Sequence, residues 1–165
     1  MRTNHPAHLK TFEYLGLYRY FLTFCTDRRR RAFGRREVVS LSLLQISRAA
    51  AEEQLAILAY CFMPDHLQLL VEGLTDAADC RRFIKSAKQL SGYYVSREFG
   101  EKLWQRYGFE RVLRDDEATL VVARYILCNP VRAGLVADVR DYPFIGSERY
   151  SIEEMLEGVV DVRST

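Results

Sequence analysis

Residues 59–73 read Ala-Tyr-Cys-Phe-Met-Pro-Asp-His-Leu-Gln-Leu-Leu-Val-Glu-Gly, and this stretch decides the fold. An apolar run ends at Met63, Pro64-Asp65 supplies turn chemistry, and a second apolar run opens at His66. That pattern predicts a β-hairpin. Alternate side chains of an extended strand share a face, so His66, Gln68 and Leu70 point one way and Leu67, Leu69 and Val71 the other. A His and a Gln set among Leu and Val are costly to bury without polar partners. They are therefore candidates for a site; the alternative is that His66 caps the turn and Gln68 lies on a wet sheet face.

Outward from the hairpin, the periodicity predicts the remaining elements. Leu55 to Phe62 is its first strand, and Gly73 ends the second. Before it, Glu37 to Glu53 has helical spacing, with Val39, Leu43, Ile46 and Ala50 in one stripe that Val38, Leu41 and Leu44 widen. The aromatic and β-branched run Tyr18 to Thr26 is a further strand. After the hairpin, Asp76 can cap a long helix reaching about Phe99, with Gly100 closing it and Cys80, Phe83, Ala87, Leu90 and Tyr94 as its apolar stripe. Residues 102–113 return to strand-like sequence, where Tyr107 and Phe109 either stack on unpaired bases or pack the core; Trp104 reads as core. Asp115 and Asp116 are placed to cap a third helix carrying Ala118, Val121, Val122 and Tyr125 on one face. Pro130 stops it near Asn129, Val131 to Gly134 adds one turn, and Ile152 to Leu156 is a short helix. This order predicts an α+β fold: a ferredoxin-like antiparallel sheet with helices packed on one side, and the first strand and the His66 strand at its centre.

A chain of 165 residues with 48% hydrophobic content supports a single domain, with a core from about residue 15 to residue 140 and flanking tails. The net charge of +2 excludes a global polycation, so an anionic partner must be met by local patches. One such patch is Asp27 to Arg36, which contains Arg28, Arg29, Arg30, Arg31, Arg35 and Arg36. Arginine suits bidentate phosphate contacts, and the block reads as a nucleic-acid surface rather than only a solvated loop. Arg81, Lys85 and Lys88 form a second basic row at helical spacing. Cys25, Cys61, Cys80 and Cys128 are scattered through apolar segments without zinc-site spacing, as expected of reduced thiols in the cytoplasm. His5 and His8 lack the further ligands that a zinc site needs. No apolar run approaches membrane-spanning length, so a soluble cytoplasmic protein without a membrane partner is expected.

Met63-Pro-Asp-His-Leu-Gln-Leu-Leu resembles the Met-Pro-Asn/Asp-His-hydrophobe-His-Leu-Leu motif of the single-tyrosine HUH transposases. The branch it is most similar to comprises the transposases associated with repetitive extragenic palindromes. Leu103-Trp-Gln, Arg114-Asp-Asp-Glu, Arg124-Tyr-Ile-Leu-Cys-Asn-Pro-Val-Arg-Ala-Gly-Leu135 and Asp141-Tyr-Pro resemble it too, so the likeness runs from about Tyr18 to Tyr150. The resemblance implies the α+β sandwich, cleavage and rejoining of single-stranded or hairpin DNA, and a nucleoid-associated protein working as a monomer or homodimer. It further implies that Tyr125 is the nucleophile and that His66, the residue at position 68 and Asn129 hold a divalent metal, Mg2+ or Mn2+.

One departure bears on that implication. Where the family has its second histidine, this chain has Gln68. An amide oxygen is a harder, weaker donor than imidazole and suits magnesium better than later ions. Either Gln68 ligates through oxygen, or the protein retains DNA binding alone. Three readings follow: a transposase acting through a 5′-phosphotyrosine, a catalytically silent DNA-binding protein on the same fold, and a plain protein-interaction domain.

Overall fold

Burial on both faces of the hairpin is what builds this molecule. In the computed structural model, which describes residues 12–157, β2 (Leu55–Met63) and β3 (His66–Gly73) pair antiparallel around the predicted Pro64-Asp65 turn. Strand β1 (Arg19–Cys25) pairs with the other edge of β3, so β3 is the middle of a five-stranded sheet ordered β4-β1-β3-β2-β5. The outer strands are short: β4 is Phe109–Val112 and β5 is Ile145–Gly146. Every pairing is antiparallel.

The sheet has a helical layer on each face, a correction to the expectation of helices on one side. Helices α1 (Arg36–Glu52) and α2 (Cys80–Phe99) cover Tyr20, Leu22 and Phe24 of β1 and Leu67, Leu69 and Val71 of β3. Helix α3 (Thr119–Leu127), followed by α4 (Asn129–Arg132) and α5 (Ile152–Glu157), lies against Phe21, Leu70, Leu58 and Cys61 on the opposite face. The reason is in α3 itself. It buries Val122, Ala123, Ile126 and Leu127, and the sheet face under α1 and α2 is already filled. A β-bulge near Ile57–Ala59 shifts the phase of β2, which sets Cys61 opposite Gln68 and Met63 opposite His66.

Several boundaries differ from the sequence reading. Asp79, not Asp76, caps α2, its carboxylate accepting from the Arg82 amide at 3.0 Å. Asp115 and Asp116 do not cap α3, whose N-cap is Ala118; Glu117 instead accepts from the Arg114 amide at 2.7 Å and orders the turn. Leu44 is exposed rather than part of the α1 stripe. Of residues 102–113 only 109–112 form a strand, while Trp104 packs in the core as expected and donates its indole N–H to Ser91 Oγ at 2.8 Å. Cys61 and Cys80 are buried free thiols, and burial pushes the Cys61 thiol up to about 12. His5 and His8 lie outside the described residues. Among the described residues no helix is long and apolar enough to cross a membrane.

Candidate active site and nucleic-acid surface

The turn that begins β3 also orients its first side chain. His66 Nδ1 lies 2.8 Å from Asp65 Oδ1. With a carboxylate as partner, Nδ1–H donates, and the Nε2 lone pair is left free. The second Asp65 oxygen accepts from Arg29 Nε at 3.0 Å. Burial alone would raise the Asp65 carboxyl, but the bonds from His66 and Arg29 outweigh it and hold the group below its usual range. Arg28 and Arg29 both occupy the left-handed backbone region, φ 54° and 53°, which is strained for a side chain of this kind. That kink lets the chain after β1 return to the hairpin turn, where the Thr26 amide donates to Asp65 O at 3.0 Å and the Phe33 amide to Pro64 O at 3.1 Å.

One step along β3 on the same face, Gln68 Oε1 accepts from Asn129 Nδ2 at 2.9 Å. This bond ties the sheet to the first residue of α4. Two side-chain amides bonded in this way consume one oxygen and one N–H, and leave one oxygen open. Cross-strand neighbours complete the row: Cys25 and Met63 flank His66, and Thr23 and Cys61 flank Gln68.

Tyr125 stands on this same sheet face. Its ring lies 6.3 Å from that of Phe21, which pairs directly with Leu70, two residues beyond Gln68. Tyr125 is 54% exposed, so it does not extend the buried stripe of α3. With Val121 it instead lines an open groove of about 390 Å3, together with Phe21, Phe109, Arg111 and Val122. Tyr125, Asn129 and Arg132 fall at i, i+4 and i+7 along α3 and α4, because Cys128 between the helices keeps a right-handed helical conformation. The Arg132 guanidinium carbon sits 3.9 Å from the Tyr125 ring centroid.

The donors that this row could offer a cation are His66 Nε2 and the open amide oxygen of Asn129. Among the described residues no three His, Cys, Asp or Glu side chains form a metal-binding group, and the Asp65 carboxylate is engaged by His66 and Arg29. Such a sparse set, one imidazole nitrogen and one amide oxygen without a carboxylate, leaves most positions around a divalent ion to waters and to phosphate oxygens of a substrate.

The basic residues divide into separate patches. Arg28 and Arg31 are exposed and make no ion pair among the described residues, while Arg29 is engaged at the site. Arg30 pairs with Asp27 at 3.2 Å, Arg35 lies 3.8 Å from Glu101, and Arg36 sits over the Phe144 ring at 5.4 Å. Arg81, Lys85 and Lys88 line a groove of about 240 Å3 with Arg106, Tyr107 and Phe109. The floor of that groove includes Leu22 and Phe24, on the sheet face away from Tyr125. Lys88 differs from its neighbours. Its ammonium donates to the carbonyls of Gln105 at 3.0 Å and Arg106 at 3.4 Å, and burial lowers its pKa.

The sequence reading missed the Arg29–Asp65 clamp and Arg132. Adjacency of Asp65 to His66, and the i+7 spacing from Tyr125, were the signals available.

Residues 15–128 match the family model described as "Transposase IS200 like". A Haemophilus influenzae protein, provisionally named a REP-associated tyrosine transposase, is 31% identical over 111 residues, 55% of this chain and 58% of that relative. The chain thus spans little more than half the length of that curated relative. A REP-associated tyrosine transposase solved with a REP hairpin superposes with a TM-score of 0.67 at 21% identity, over 80% of this chain and 78% of the other. A Deinococcus radiodurans structure, provisionally named a transposase, gives a TM-score of 0.51 at 25% identity, covering 71% and 94% of the two chains. With its family match running from the entry to β1 through α3 and across both motif-bearing elements, the chain belongs to the IS200-like transposase family.

Proposed function

We propose that the protein is a single-strand DNA endonuclease and strand transferase that acts on hairpin-forming DNA through a 5′-phosphotyrosine. The observation that carries this reading is the exposed phenol of Tyr125 on the same sheet face as His66 and the Gln68–Asn129 pair. One helical row supplies both a nucleophile and an amide, and β3 supplies the imidazole. The reaction needs a single phosphate that touches both elements, and the Gln68–Asn129 bond, which ties β3 to the row that carries Tyr125, supports this reading.

The phenolic oxygen of Tyr125 attacks phosphorus, and the bond to the 3′ oxygen breaks. The phenol gives up its proton and the leaving 3′ oxygen gains one, so the products are a tyrosyl 5′-phosphate and a free 3′-hydroxyl. Rejoining runs the same exchange backwards with a new 3′-hydroxyl. A phenol is a weak nucleophile at neutral pH and depends on its surroundings for activation. A divalent cation, Mg2+ or Mn2+, would be held by His66 Nε2 and the open amide oxygen of Asn129, with Gln68 joining through its own oxygen where the Asn129 bond gives way, and when bound it neutralises charge on the phosphate. The Asp65 carboxylate, 2.8 Å from His66 Nδ1, favours the ring tautomer that presents its lone pair at Nε2.

DNA would reach the site over the exposed Arg28 and Arg31 and the groove bounded by Arg81, Lys85, Tyr107 and Phe109, where phosphates meet cations and unpaired bases meet rings. The hairpin held by the structural neighbour is the model for such a substrate.

The test is covalent adduct formation on a single-stranded hairpin oligonucleotide with Mg2+ or Mn2+. The wild type should become linked to the DNA, whereas Tyr125→Phe should yield no adduct and bind with nearly unchanged affinity. Adduct from the Phe variant would move the nucleophile elsewhere. The Gln68–Asn129 bond favours one other reading, a DNA-binding protein without cleavage, because it closes part of the donor set. Tight hairpin binding with no adduct at saturating metal would establish that reading.

A further inference from the structure

We propose that Arg132 is a further catalytic residue, one that binds the scissile phosphodiester directly; this deepens the reading of the Tyr125 site and rests on it. The donors facing that site from β3 and α4 are already engaged, His66 Nδ1 with Asp65 and the Gln68 and Asn129 amides with each other. The Arg29 guanidinium nearby is paired with Asp65. Arg132 alone of the cations described around this row is exposed, without an ion pair among the described residues, and in contact with the nucleophile's ring.

Its position follows from the helix. Arg132 is three residues past Asn129, whose amide touches Gln68, and seven past Tyr125. Its charge also acts on the buried thiol of Cys61, the cross-strand neighbour of Gln68. The guanidinium therefore lies on the nucleophile's ring, on the helical row that also carries Asn129. A flat guanidinium stacked on a ring uses its face and leaves its N–H edges free, and those edges match two phosphate oxygens. A phosphate approached by the Tyr125 oxygen and held by those edges has its negative charge offset before attack. No bond to Arg132 forms or breaks, and its protons stay in place throughout.

The experiment compares wild type with R132Q and R132K on hairpin oligonucleotides. In these, a neutral methylphosphonate replaces one phosphate at a time along the single-stranded flank. Affinity and adduct yield are both read. If Arg132 grips the reacting phosphate, one linkage will stand out: neutralising it should weaken wild-type binding several-fold and leave R132Q unchanged. On unmodified DNA at saturating concentration, R132Q should form adduct on the order of 100-fold more slowly, with R132K intermediate because it keeps the charge and loses the fork.

A wild type that shows the linkage-specific effect in binding but never forms adduct would leave Arg132 as a phosphate ligand and remove the cleavage reading instead. No linkage that distinguishes wild type from R132Q would overturn the proposal. So would an R132Q defect that is equal at every linkage, since a residue that merely packs on Tyr125 cannot sense which phosphate is charged.

Discussion

His66 is held from one side only. Asp65 occupies Nδ1, and Arg29 occupies the far oxygen of Asp65. Asp65→Asn should keep the shape of this clamp and remove its charge. The His66 tautomer would no longer be fixed, and cleavage should fall roughly 10- to 100-fold while hairpin affinity changes little; an unchanged rate would show that Asp65 does not orient the ring. The same carboxyl has its pKa lowered in the fold, so its stabilising contribution is present above the ordinary carboxylate pKa of about 4 and is lost as pH falls through the lower folded value. The melting-temperature gap between wild type and Asp65→Asn should therefore be widest near neutral pH and close under acid conditions. Gln68 carries a separate expectation. Gln68→His would set two nitrogen donors at i, i+2 on one strand face and release the Asn129 amide from its present bond. That variant should bind Mn2+ more tightly than wild type does, and shift the Mg2+/Mn2+ preference toward Mn2+. Metal titration by calorimetry decides it, and equal affinities in the two proteins would remove position 68 from the ligand set.

Helix α2 shows how an element can divide a row that the sequence presents as uniform. Arg81, Lys85 and Lys88 share spacing and charge, yet Lys88 is turned inward to hold the carbonyls of Gln105 and Arg106 in the loop before β4. Lys88→Met should destabilise the fold by about 1–3 kcal/mol, because those carbonyls lose a charged donor, and should leave DNA affinity almost unchanged. Lys85→Ala should do the reverse. Equal affinity losses from both would put Lys88 back on the binding surface. The hairpin, α1, α2 and the central place of β3 were legible in the sequence, since long stretches of strict period need no tertiary information. So was the common face of His66 and Gln68, which strand alternation alone dictates. The second helical layer was not legible. Val121 and Tyr125 look like core by spacing, but in the fold they line an open groove, and the turn of α3 that reveals this depends on what β2 and β3 offer it. Asn129 was legible as a partner of Tyr125 along the helix. Its bond to Gln68 was not, because that contact joins residues 61 positions apart.

Across the whole molecule, charge is distributed unevenly rather than in excess. The net charge is only +2, so long-range attraction to DNA is weak and binding depends on contact between specific cations and phosphates. Several arginines of the Asp27–Arg36 segment are already engaged with Asp27, Glu101 or Asp65, whereas Arg28, Arg31, Arg81, Lys85, Arg106 and Arg132 make no ion pair among the described residues. Each of those that meets a phosphate displaces condensed counterions. For single strands the slope of log affinity against log salt is about 0.7 per neutralised phosphate, and four to six contacts then give a slope of roughly −3 to −4. Raising salt from about 50 to 200 mM should cost on the order of 100-fold in affinity for a single-stranded hairpin flank. The engaged arginines make the expectation selective. Arg31→Ala or Lys85→Ala should flatten the slope by nearly one contact, whereas Arg30→Ala, whose guanidinium already faces Asp27, should flatten it less. Fluorescence anisotropy over a salt series measures all of these slopes. Binding that stays flat from low to physiological salt would mean that the exposed cations do not face the DNA, and a hairpin oligonucleotide would then have to be recognised by its bases alone.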